Sequence, residues 1–177
     1  MTAPPEELRT PRLLLRRPRL DDAEAIFANY AQDAEVTRYL TWPPHTDIAQ
    51  TRKFVESRVA AWEAGEAYEW VITLAPRDEA IGMIGLGLRD YKADLGYVLA
   101  RACWGQGLMT EAAQAVVDWA IAQPEVFRVW AVCDVENPGS ARVMEKVGME
   151  FEGRLRRWMR RPSKDEPVDC LCYAKTK

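Results

Sequence analysis

The segment from Leu95 to Ala112 constrains the fold of this chain more than any other. It reads as an apolar strand run ending at Leu99, then a Gly105–Gln106–Gly107 loop. A helix follows from near Thr110, with Ala112, Ala115, Val116 and Trp119 on one face. Glycine admits the backbone conformations that so sharp a turn requires and lets a ligand approach the main chain. The N–H groups that open the next helix have no partners within it. With the helix dipole they suit an anion such as a pyrophosphate. No Gly-Lys-Ser/Thr follows, so this is not a Walker A loop, and Thr110 stands where a dinucleotide fingerprint would have its third glycine. The residues alone leave two readings, a phosphate loop or a plain strand-to-helix turn.

The remaining periodicity fixes the fold class. Leu13 to Arg16 reads as a first strand ended by Pro18. Asp21 is the expected cap of a helix with Glu24 in the capping-box position and Ala23, Ile26, Phe27 and Tyr30 on one face. A second helix starts near Asp47, with Gln50 in the box position and Ile48, Val55, Val59 and Trp62 inward, and Gly65 stops it. Strand runs follow at 70–74, 81–88 and 94–99, and later at 127–133, 151–155 and 169–174. Gly82, Gly85 and Gly87 lie within a strand run and read as close-packing or bulge positions. The order predicts an α/β (α+β) domain, a mixed and mostly antiparallel sheet of about seven strands flanked by about four helices.

The 177 residues suit a single domain, expected over 10–177, after a Pro-rich, acidic and flexible tail over 1–9. No apolar run approaches the ~18 residues of a membrane helix, and the N-terminus has no signal core, so a cytoplasmic protein is expected. The net charge of -3 argues against charge-driven nucleic-acid binding. One histidine, His45, and four cysteines without a C-x-x-C pair predict no metal site. Cys103, Cys133, Cys170 and Cys172 read as small buried hydrophobes, and His45 as a loop residue.

A second segment, Asn137 to Met149, reads as a capped helix. Asn137 is the N-cap, Pro138 sits at N1, and Gly148 followed by Met149 ends it. Ser140, Val143, Met144 and Val147 share one face. Capping alone accounts for this pattern.

Taken together, the two segments resemble the coenzyme A-binding core of the GNAT acetyltransferase superfamily, most closely its ribosomal-protein N-terminal acetyltransferase (Rim) subgroup. The matching residues are Leu95–Gly96–Tyr97, Trp104–Gly105–Gln106–Gly107, Thr110–Glu111–Ala112, Asn137-x-x-Ser140, Glu145–Lys146-x-Gly148–Met149 and Glu152–Gly153-x-Leu155–Arg156. The similarity runs from Leu13 to the last strand. It implies a cleft where the strand ending at Leu99 splays from the strand at 127–133, with acetyl-CoA inside as co-substrate. It implies cofactor contacts from Leu99, Arg101, Trp104, Gly105, Gln106, Gly107, Met109, Thr110, Asn137, Ser140 and Lys146, with Ser140 near the thioester sulfur. The chain departs from the superfamily pattern twice. Ala102 stands where Gln or Arg is common, with Arg101 adjacent, and Met144 stands where many relatives carry a proton-donating Tyr. Ser140 then becomes the candidate that assists the leaving thiolate.

The implied reaction is direct attack of a neutral amine on the thioester in a ternary complex. A protein α-amine, with a pKa near 8, is about a tenth neutral at pH 7, and a lysine amine at ~10.4 far less. The acceptor is thus expected to be a protein N-terminus or a small amine. Asp94 is the first candidate base and Glu69 the second, and a backbone N–H near Leu99 would hold the oxyanion. No histidine adjoins Cys103 or Cys133, which argues against a thiol nucleophile. Arg154, Arg156, Arg157, Arg160 and Arg161, with Trp158 among them, form the one basic patch. It reads first as a solvated strand-and-loop face, and otherwise as a surface for an acidic acceptor or for ribosomal RNA, which supports an alternative, a ribosome- or RNA-associated binding protein. A coenzyme A-binding module without catalysis is the other. A monomer or a homodimer fits the sequence equally.

Overall fold

Strand residues alternate between two faces, so a sheet covered on both sides needs apolar residues at odd and even positions alike. The central runs of this chain meet that requirement. In the computed structural model, which describes residues 3–177, one sheet runs in the order β1-β2-β3-β4-β5-β6-β8-β7. The strands are β1 (Glu7–Arg9), β2 (Leu13–Arg16), β3 (Tyr68–Leu74), β4 (Ala80–Arg89), β5 (Lys92–Leu99), β6 (Arg128–Asp134), β7 (Glu150–Met159) and β8 (Val168–Thr176). The α-helices are α1 (Asp22–Ile26), α2 (Ala34–Thr37), α3 (Ile48–Ala64), α4 (Leu108–Ala122) and α5 (Pro138–Lys146). Trp70, Ile72, Ile84, Leu95 and Leu99 pack with α4 and α5 on one face. Val71, Met83 and Val98 pack with α1 and α3 on the other.

The expected α+β architecture is present, with eight strands where about seven were predicted and five α-helices among the described residues. Both additions are short. Residues 7–9 were predicted as tail, but Glu7 to Arg9 pair antiparallel with Arg16 to Leu14. The Trp70 indole N–H also donates to the Pro5 carbonyl at 3.0 Å. A three-residue strand, Glu7–Leu8–Arg9, is too short to show a periodicity; its partners create it. Residues 1 and 2 of that tail lie outside the described residues. The extra helix, α2, has Asp33 as its N-cap, accepting from Glu35 N–H at 2.9 Å.

Asp21 does not cap α1 through its side chain. Its neighbour Asp22 is buried instead, accepting both arms of the buried Arg16 guanidinium at 2.6 and 2.9 Å. A charge pair needs this mutual satisfaction to persist inside a protein. α3 keeps its expected cap at Asp47, but Gln50 reaches back to Thr46 N–H rather than to Asp47. Gly82 proves to be a close-packing glycine, because a Cβ there would lie 2.5 Å from the Val98 carbonyl oxygen.

Candidate active site

β5 and β6 are the only neighbouring strands among the described residues that run parallel, and they pair over three residues alone: Lys92, Ala93 and Asp94 with Arg128, Val129 and Trp130. Beyond Asp94 they separate. The gap is a cleft of about 700 Å³, walled by Leu95 to Leu99 on one side and Val132 to Asp134 with α5 on the other. Backbone groups on the open edge of β5 are left for a ligand to pair with.

At the wide end, the chain leaves β5 through a single turn at Arg101–Cys103 and enters the Gly-x-Gly loop. Gly105 and Gly107 both adopt the left-handed region, with φ of 74° and 73°. Gly107 is the N-cap of α4, so the helix begins two residues earlier than expected. Three contacts hold the loop. The Trp104 indole N–H donates to the Leu99 carbonyl at 2.8 Å, and the Gln106 amide donates to the Ala102 carbonyl at 2.9 Å. Arg12 donates to the Gln106 carbonyl at 3.0 Å while its Nε binds Glu111 at 2.7 Å. The first turn of α4, Leu108, Met109 and Thr110, then faces the cleft.

α5 supplies the opposite wall. Asn137 is its N-cap, its side chain accepting from Ser140 N–H at 3.1 Å. Ser140, Arg142, Val143 and Lys146 line the cleft. Met144 is fully buried in the core, so its thioether faces away from any chemistry. The partly buried ring of Tyr97 crosses from β5 and places its hydroxyl 2.8 Å from Ser140 Oγ. The mostly apolar cleft thus brings together a glycine-built helix N-terminus, the cations of Arg142 and Lys146, and the hydroxyl pair of Tyr97 and Ser140. That arrangement suits a long thin ligand with an anionic end and a reactive end.

A family model described as an acetyltransferase (GNAT) domain matches residues 12–150. The chain belongs to the GNAT acetyltransferase family. It is 33% identical to the uncharacterized N-acetyltransferase p20 of Bacillus licheniformis over 154 residues, 85% of this chain and 86% of that one. It is also 31% identical to the ribosomal-protein-serine acetyltransferase of Escherichia coli over 121 residues, 66% of each chain. That likeness bears out the Rim-like subgroup. The fold matches the microcin C7 self-immunity acetyltransferase MccE, solved with acetyl-CoA and AMP, with a TM-score of 0.87. That match covers 99% of this chain and 98% of that one at 20% identity.

Most of the residues singled out in the sequence of this acetyltransferase come together in the cleft. Leu99, Trp104, Gly105, Gly107, Met109, Thr110, Asn137, Ser140 and Lys146 line it. Gln106 anchors the loop from behind. Arg101 does not join them, because its guanidinium is drawn to Asp33 at 2.9 Å, beside α2. Asp94 stands at the closed end of the gap, where β5 still pairs with β6. Its carboxylate lies over Gly87 of β4, and burial raises its pKa. Five residues of strand separate it from Leu99, roughly 17 Å. Glu69 is ion-paired with Arg58 at 3.0 Å.

Sequence reasoning missed the third wall of the cleft, made by Glu35, Val36, Tyr39, Leu40 and Thr41 from α2 and the loop after it, with Asp134 and Met159 opposite. Arg142 was also missed, although it lies one turn before Lys146 and shares its face. Burial and the neighbouring charges of Cys170 and Asp134 push the Cys133 thiol up to about 12, so it is protonated at neutral pH and a poor nucleophile. His45 packs against Trp42 and Phe54 and bonds Thr51 Oγ1 at 2.7 Å, a structural role.

Three of the five arginines of the basic patch pair with acidic groups. Arg154 binds Asp169 at 2.7 Å and Arg157 binds Glu166 at 3.1 Å. Arg161 is buried and its guanidinium stacks on Tyr39. It donates to the Arg38 carbonyl at 3.1 Å and to Glu136 at 3.0 Å. Its Nε lies 2.9 Å from Asp134 but out of hydrogen-bond alignment, so that contact is chiefly electrostatic. Arg161 therefore ties α2 to the end of β6 rather than facing a polyanion. Among the described residues, no helix is long and apolar enough to cross a membrane.

Proposed function

We propose that this acetyltransferase moves an acetyl group from acetyl-CoA to a primary amine by direct attack within a ternary complex. The observation that carries the proposal is the parting of β5 from β6 after Asp94, with both the Gly105–Gly107 loop and Ser140 lining the opening. The pyrophosphate would sit on the loop and the first turn of α4, with Arg142 and Lys146 nearby. The pantetheine would run along the free edge of β5, beside Asn137. The amine would enter past Tyr39, Leu40 and Thr41, and a backbone N–H near Leu99 would take the oxyanion. The high pKa of Cys133 favours this direct route over an acyl-cysteine.

A protein α-amine is the favoured acceptor in this proposal. It needs the least help in losing its proton. Asp94, three strand residues or roughly 10 Å from Tyr97, is the candidate base, acting directly or through water. Small amines of similar basicity are the second class. The test is a coenzyme A-release assay with acetyl-CoA against N-terminal peptides, polyamines, amino acids and amine antibiotics. Turnover with an α-amine and weaker turnover with lysine side chains is expected. Saturable acetyl-CoA binding with no turnover on any amine would leave a binding module in place of an enzyme acting this way. Salt-sensitive RNA binding would restore the reading based on Arg154 to Arg161.

A further inference from the structure

The buried Met144 leaves α5 without a proton-bearing side chain one turn after Ser140. A phenol reaches the neighbourhood of Ser140 from another element. Tyr97 belongs to β5, on the far side of the opening from α5. Its hydroxyl lies 2.8 Å from Ser140 Oγ and 3.1 Å from the Ser140 carbonyl oxygen. Each hydroxyl has one proton to give. If the phenol donates to the carbonyl, its oxygen is free to accept the serine proton, which is then spent within the pair. If it donates to Ser140 Oγ, the serine proton is free to point into the cleft.

Building on acetyl transfer at this site, we propose that Tyr97 is a positioning residue: its hydroxyl donates to Ser140 Oγ and so turns the serine proton toward the departing thiolate. Negative charge on sulfur favours that arrangement, because a chain of aligned hydrogen bonds polarises toward the charge. Burial raises the pKa of Tyr97, although the bond to Ser140 offsets part of that. The phenol stays protonated through the working range and acts as a donor, never as a base. The balance is simple. The C–N bond forms, the C–S bond breaks with its electron pair on sulfur, and the surplus amine proton goes to water. Tyr97 and Ser140 lose no proton; they solvate the sulfur.

The experiment is a double-mutant cycle with Tyr97→Phe, Ser140→Ala and the pair, using acetyl-CoA and an amine that the parent acetylates. Phenylalanine keeps the ring that packs against the core and removes only the hydroxyl. Tyr97→Phe is expected to lower kcat about tenfold, the order of one hydrogen bond realised in the transition state, with KM for acetyl-CoA within about threefold. In the Ser140→Ala background the same change is expected to cost nothing more, because its effect passes through Ser140. An unchanged kcat in Tyr97→Phe overturns the proposal. So does an equal loss in both backgrounds, which is the signature of a packing role. A thermal melt of each variant, expected within a few degrees of the parent, keeps a folding defect from passing as a catalytic one. A parent that turns over no amine defeats acetyl transfer itself, and this is visible before any variant is made.

Discussion

Gly107 is where backbone conformation and the anion site are most tightly joined. Its φ of 73° and ψ of 6° lie in the left-handed region, where an L side chain costs about 1–2 kcal/mol. A Cβ built there meets only Arg12 Nη2, at 3.7 Å, an ordinary contact. The cost of Gly107→Ala is therefore backbone strain without a clash, about 1–2 kcal/mol. For a chain of this size that lowers Tm by roughly 3–6 °C. Gly107→Val strains more, because a β-branched residue fits that region worst. Gly107→Asn should recover most of the loss, since Asn tolerates this backbone. Scanning calorimetry with and without acetyl-CoA reads both effects. In the parent, acetyl-CoA at 100-fold its Kd should add about 2.7 kcal/mol of stability. The Val variant should lose that increment. An Asn variant that falls as far as Val refutes the strain argument, because the loss would then be steric. An increment that survives in Val removes the pyrophosphate from this loop.

Three further outcomes follow from named contacts. Asn137→Ala should cost about 1 kcal/mol through the lost cap to Ser140 N–H and also weaken acetyl-CoA binding. Asn137→Asp keeps the cap, so parental affinity in the Asp variant by calorimetric titration would mean that Asn137 is a cap alone. Burial raises the pKa of Glu111, but hydrogen bonds from Thr10 and Arg12 outweigh it and hold the group below the ordinary glutamate value of 4.5. A lowered folded pKa gives stability that is complete above the unfolded value and is lost as pH falls through the folded one. The stability gap between the parent and Glu111→Gln, from urea melts, should be widest at neutral pH and shrink below pH 4.5; a gap that widens in acid would contradict this. Arg16→Ala strands the buried Asp22 carboxylate and should cost about 3–5 kcal/mol, whereas replacing both partners by apolar residues should cost clearly less. Equal losses in the two variants would rule out the stranded charge as the cause.

Local devices were legible because local geometry is written in adjacent residues. A strand that runs into Gly105 and Gly107, and Asn137–Pro138 opening a helix that Gly148 closes, need no distant partner to be recognised. Periodicity placed Val55 and Trp62 of α3, Ala112 and Val116 of α4 and Met144 of α5 inward, although Ala113, Val117 and Ala120 complete the buried face of α4 and Ala115 and Trp119 lie at its margin. The similarity to GNAT enzymes named the cleft. The strand β1 was not legible, because Glu7, Leu8 and Arg9 are ordered by Arg16, Leu15 and Leu14 beside them. Arg161 was misread for the same reason. Five arginines in a row of eight residues look like a solvated face until the fold buries one against Asp134 and Tyr39.

What the sequence by itself determined is the seven longer strands, the four longer helices and the loop that can hold an anion. Only the tertiary structure decided that β5 and β6 part after three residues, that α2 closes the cleft with Tyr39, and that Tyr97 meets Ser140 across 43 positions of chain. Those facts depend on sheet order and register, and a slip of one residue in β5 would turn Tyr97 to the other face of the sheet. The neighbours of a side chain across an open sheet are set by the summed packing of all the strands, which no short stretch of sequence records.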